Sequence, residues 1–68
     1  SDSRLKDALS AKLAEANQDL VRYQADLQQA EQQGKQDKIV KHKKKLEETT
    51  SEIKRLNDQL SQLGQLPQ

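Results

Sequence analysis

The sequence predicts an all-α fold, a two-helix antiparallel coiled-coil hairpin. Three observations predict it. Apolar or small residues return every three or four positions on both sides of Gly34; Gly34 is the only glycine before the tail and splits the chain into near-equal halves; and no proline occurs before Pro67. Steps of three and four mark one face of a helix, and a sustained seven-residue return marks the narrow seam of a coiled coil. The chain has 68 residues, 31% of them hydrophobic, with one aromatic and no Cys, Met, Trp or Phe. A compact globule of this size needs a dense core or staples such as disulfides. With neither to hand, the chain must be elongated, oligomeric or disordered, and its periodicity selects the first two.

The first helix is expected over about residues 3–33, with Leu13, Leu20 and Leu27 at the a positions of the heptad and Leu9, Ala16, Tyr23 and Ala30 at d. Asp2 or Ser3 can cap it by accepting hydrogen bonds from free backbone amides. Gly34 suits the left-handed residue just past that helix, and opens a bend over 34–36. The second helix is expected over about 37–63, with Ile39, Leu46, Ile53 and Leu60 at a and His42, Thr49, Leu56 and Leu63 at d. Its start is weakly marked. Asp37 favours a helix N-terminus electrostatically, but no Ser, Thr or Asn stands there as a cap. Gly64 with Pro67 repeats the stop signal and leaves a tail over 64–68.

A short link forces the helices antiparallel. With the bend between Gly34 and Lys35, facing residue numbers sum to 69. The seam then pairs Ala30 with Ile39, Leu27 with His42, Tyr23 with Leu46, Leu20 with Thr49, Ala16 with Ile53, Leu13 with Leu56, Leu9 with Leu60 and Lys6 with Leu63. Small residues repeatedly meet larger ones, as even packing requires. One flank sets Asp26 near Lys45 and Lys12 near Gln59, but also Asp19 near Glu52; the other holds Ser10 by Asn57, Asn17 by Thr50 and Gln24 by Lys43. Exposed pairs of this kind contribute about 0–1 kcal/mol each, so they tune the register without setting it. Two helices cannot fully bury a seam, which predicts self-association. Ala11, Ala14, Val21 and Ala25 lie outside the seam on the first helix and could receive a second hairpin, giving a dimeric four-helix bundle.

Several function classes fall away on composition. Charged residues make up 34% but balance to +1, which argues against a general nucleic-acid binder. No apolar run approaches a membrane span. No nucleophile–base pair, phosphate-binding glycine loop or facing carboxylates can be assembled, so an enzyme is not expected, nor any cofactor. His42 is the only histidine, and its turn neighbours Lys38, Lys45 and Leu46 repel a cation or cannot bind one, so no metal site is expected. It is read as covering Leu27 at a wet end of the seam, and Tyr23 as a core residue with its hydroxyl reaching solvent.

The basic stretch is the one chemically distinctive feature. Lys35, Lys38, Lys41, Lys43, Lys44 and Lys45, against Asp37 alone, give +5 over residues 35–45. One reading is a contact to an anionic lipid, a peptidoglycan-associated polymer or nucleic acid. Nucleic acid fits least, because the cluster has no arginine and no aromatic to stack on a base. The other reading, favoured by the usual behaviour of charge runs, is a solvated helix face balanced by the acidic first helix and by Glu47, Glu48 and Glu52.

At "SDSRL" and again at "YQADLQQAEQQGKQDKIVKHKKKLEETTSEIKRL" the chain resembles the C-terminal part of the YqjC-like family of small bacterial envelope proteins, whose domain has no known function. Leu5, the Gly34 bend, the Asp37-Lys38-Ile39 entry and the basic run closing on Leu46 carry the resemblance over roughly residues 1–60. The chain departs at Lys35, where the family tends to an acidic cap, and in the Gln-rich stretch after Leu60. The family carries a signal peptide and a cysteine-containing N-terminal segment, neither seen in this sequence. The resemblance therefore implies a periplasmic origin and a piece of a longer protein. The expectation is a structural or interaction module, self-associating as a dimer or binding another envelope protein. The alternatives are a basic tip that contacts an anionic surface or polymer, and a helical chaperone or adaptor, which would need exposed apolar grooves along the first helix.

Overall fold

A computed structural model describes residues 2–65 as two long helices, α1 over Asp2–Gln33 and α2 over Gln36–Gly64. They lie antiparallel in a rod whose Cα extents are 53 × 14 × 11 Å. The seam is the one the heptads predict. Leu9, Ala16, Ala30 and Leu56 are buried, and the other a and d residues from Leu13 to Leu63 are all half-buried. Leu9, Ala16 and Leu56 form the core, with Leu13, Ile53, Leu60 and Leu63 packed against it. The cluster draws on both helices and holds only a and d residues. The hairpin is an all-α fold held by this one interface.

The bend is shorter than expected. Gly34 takes φ +65°, in the left-handed region where a Cβ is strained, and the amides of Gly34 and Lys35 close α1 by donating to the carbonyls of Glu31 and Ala30. Lys35 is then the residue before α2, extended at φ −91° and ψ 91°, with no side-chain cap. The missing cap matches the weak start signal in the sequence, and α2 begins one residue early, at Gln36.

Three local expectations need correction. First, α1 already includes Asp2 and Ser3, so Ser3 is not its cap; Asp2 sits in the first turn, where a carboxylate meets the positive helix end. Second, Gly64 does not take the left-handed conformation. It is the last residue of α2, and Gln65 closes the helix in a right-handed conformation by donating its amide to the Gln62 carbonyl. Pro67 and the end of the predicted tail lie outside the described residues. Third, Lys6 is exposed and does not cover Leu63. Leu5, still 49% exposed, lies instead with Leu9 and Leu63 around a shallow hollow at the open end.

Two polar seam residues behave differently. The Thr49 hydroxyl donates to the Lys45 carbonyl one turn back, at 2.7 Å, so its burial leaves no orphan donor. His42 is half-buried, and its Nδ1 is closed off from solvent with no hydrogen-bond partner. The wet end expected around this ring is therefore dry on one side.

Candidate interaction surface

In an antiparallel hairpin the two e edges lie on one broad face and the two g edges on the other. Positions b and c extend those faces outward, and f lies at the back. The g face is the charged one. Between residues 2 and 65 its c and g positions carry eleven charged residues, against five at b and e on the opposite face. The two edges also differ in burial. Asp19, Asp26, Lys45, Glu52 and Gln59 on the g edge are half-buried, whereas Ser10, Asn17, Gln24, Lys43, Thr50 and Asn57 on the e edge are all exposed.

The g edge resolves a conflict visible in the sequence. The register sets Asp19 across from Glu52, a like-charged pair, and each carboxylate carries its own arginine three residues on. Arg22 donates to Asp19 at 3.2 Å, and Arg55 grips Glu52 at 2.6 and 2.9 Å. The Arg55 hydrogen bonds and charge, with Lys12 reaching across from α1, hold the Glu52 carboxyl below the usual carboxylate range. Arg22 lies 5.1 Å and Lys45 5.3 Å from the centre of the Tyr23 ring, so two cations flank the one aromatic. Lys45 thus engages Tyr23, and the predicted Asp26–Lys45 ion pair does not form. The three ion pairs among the described residues, with Lys54–Asp58 as the third, all lie within one helix.

At the bend, Asp26, Gln29, Gln33, Lys35, Lys38 and His42 line a hollow of about 310 Å³ on the same charged face. The structure brings together only Lys35 and Lys38 of the six predicted anion-contact lysines there. Lys41, Lys43 and Lys44 are exposed around the outside of α2, and among the described residues none of the six takes part in an ion pair. The lysines form a collar around α2 and not a single pocket.

The e face is quite different. From Ser10 to Gln28, the nine b, e and f positions of α1 hold only Ser, Ala, Asn, Gln and Val, and all nine are exposed. Ala11, Ala14, Val21 and Ala25, singled out from the sequence, all lie within this strip. Val21 is 66% exposed and Val40, a b residue of α2, is 59% exposed; the heptad puts both on this broad face. Val40 was not anticipated, although its b position in the heptad could have shown it.

The sequence profile of a family described as Protein of unknown function (DUF1090) matches residues 1–55. The chain belongs to that family. The matched span takes in all of α1, the bend and α2 as far as Arg55, and so includes the lysine collar and the uncharged strip. Searches of curated proteins and of solved structures found no significant match. No helix among the described residues is long and apolar enough to cross a membrane.

Proposed function

We propose that this member of the family is a non-enzymatic structural and interaction module of the bacterial envelope that self-associates through α1. The observation that carries this reading is the strip from Ser10 to Gln28: nine exposed positions without a charge, on a chain in which 34% of residues are charged. Burying such a strip strands no ion and gains apolar area at Val21 and the alanines. A second hairpin laid there completes a four-helix bundle and covers the seam edge that one hairpin leaves open. The resemblance to YqjC-like proteins supports a periplasmic location, with a second copy or another envelope protein as the partner. Sedimentation equilibrium tests the reading. The chain should be dimeric, and Val21→Glu should make it monomeric without loss of helix. A wild-type chain that stays monomeric at high concentration overturns it.

A second reading has its own support, since the six lysines of residues 35–45 find no carboxylate partner among the described residues. On this reading the bend end contacts an anionic surface or polymer. Salt-sensitive retention on heparin or anionic vesicles, abolished by changing Lys41, Lys43 and Lys44 to Gln, is the expected result. Retention unaffected by those changes would remove it.

A further inference from the structure

We propose that two copies of the hairpin pair antiparallel and offset by part of their length, so that the lysine-rich end of each lies level with the acidic waist of the other and Lys43 of each meets Glu47 of its partner. This rests on the self-association reading and specifies its geometry. The rod is banded by charge. The bend end, residues 24–45, carries six lysines against Asp26, Glu31 and Asp37, a net +3. The waist, residues 14–23 and 46–53, carries five carboxylates against Arg22, a net −4. The open end, residues 2–13 and 54–65, is net +2.

Three ways of laying one e face on another can be compared. A parallel pair puts collar on collar and waist on waist, so like bands meet throughout. An antiparallel pair overlapping end to end puts waist on waist and the two basic ends together. An antiparallel pair overlapping by about 30 Å, at 1.5 Å per residue, puts each collar on the other copy's waist. It also leaves the open ends, which share a sign, apart. Only the last sets bands of opposite net charge level with one another, and on the e faces themselves the charges it brings together are Lys43 and Glu47.

The heptad narrows the offset further. With e and b residues interleaving across the new interface, one register sets Lys43 of each copy against Glu47 of the other, and Val40 against Thr50. The same offset on α1 sets Val21 against Gln24, so both exposed valines are covered. Sliding one heptad deeper places Lys43 against Lys54 of the second copy. Sliding one heptad shallower moves Lys43 onto Val40 and shortens the overlap by about 10 Å. Among the described residues neither Lys43 nor Glu47 has an ion partner, which leaves both to pair with the second copy.

The test uses substitutions that leave the seam intact. Lys43→Glu or Glu47→Lys alone should weaken dimerisation by roughly 2- to 30-fold, because symmetry repeats each exposed pair twice. The double variant K43E/E47K should restore it. Register is read independently in this cysteine-free chain. Gln24→Cys places the two substituted positions about 4.5 Å apart along the axis and should form a disulfide-linked dimer, whereas Asn57→Cys places them about 36 Å apart and should not. A dimer in which both cysteines cross-link, or neither does, or in which the double charge change brings no recovery, overturns the offset pairing while self-association stands. A chain monomeric at every concentration removes both.

Discussion

Among the described residues Leu56 is the one side chain with no exposed surface, and the core closes around it through Leu9 and Ala16. Replacing it with alanine removes three carbons from a site bounded by both helices. Leucine-to-alanine changes in closed cores cost about 2–5 kcal/mol, the low end applying where neighbours can collapse into the gap. A two-helix seam can draw together, so about 2–3 kcal/mol is expected here. A chain of this length has a stability of roughly 3–10 kcal/mol, so the loss is a large fraction of the whole. In urea, with a slope of about 1 kcal/mol/M for a small domain, the midpoint should fall by about 2–3 M. Far-UV circular dichroism at one fixed protein concentration reads this directly. Leu5→Ala, at the partly open end, is the control and should move the midpoint far less. A midpoint within about 0.5 M of wild type for Leu56→Ala would mean that the seam around Leu56 does not hold the hairpin.

Three further outcomes follow from single residues. His42→Leu should raise stability by about 1–2 kcal/mol in a thermal or urea melt, because it removes a buried nitrogen without a partner and adds apolar contact to the seam; unchanged or lower stability would show that Nδ1 is satisfied. Gly34→Ala should destabilise by about 1 kcal/mol for its φ of +65°, with no steric clash to add, whereas Gly64→Ala should stabilise by up to about 1 kcal/mol, since that glycine is helical and open space surrounds it. Arg55→Gln should let the Glu52 carboxyl titrate closer to its ordinary range, followed by NMR of the side-chain carboxyl. Because the folded state holds this carboxyl low, its stabilising contribution is present above the ordinary carboxylate pKa and is lost as pH falls through the depressed value. The variant should lack that acid-side loss.

Much of this fold is legible in sequence because the seam is a local pattern repeated over many turns. A one-residue error anywhere between Leu9 and Leu63 would rotate a leucine into water, so the heptads fix the a and d positions and, through the short bend, their partners. The ends carry no such penalty. At the open end Leu5, and not the heptad residue Lys6, lines the hollow beside Leu63, a choice that no periodicity encodes. Gly64 reads as a stop because glycine is costly in a helix, yet the cost is only about 1 kcal/mol, and a helix already docked through Leu60 and Leu63 can carry it. The edge chemistry was harder to read. Facing numbers put Lys45 beside Asp26, but an arginine or lysine can choose among several neighbours within reach, and here Lys45 settles over the Tyr23 ring. The candidate surface was half legible: the alanines and Val21 stood out, while the strip's full extent and Val40 emerged only once the two edges proved unequal.

That inequality has a cause in the register itself. Pairing Ala16 with Ile53 and Tyr23 with Leu46 fixes Asp19 across from Glu52, and two carboxylates at a half-buried edge repel unless each is neutralised. A cation three residues on reaches back along its own helix, and position c is three residues beyond g. The arginines that answer Asp19 and Glu52 therefore lie at c, on the same broad face as the carboxylates, and they leave the e and b positions untouched. Charge gathers on one face because the conflict is there, and the opposite face is left with Ser, Asn, Gln, Ala and Val. A hairpin evolved only to be a soluble monomer gains nothing from keeping nine adjoining exposed positions free of charge, since a lysine or glutamate at any of them would form an equally good helix. The uncharged strip is thus the surface on which the proposed self-association rests.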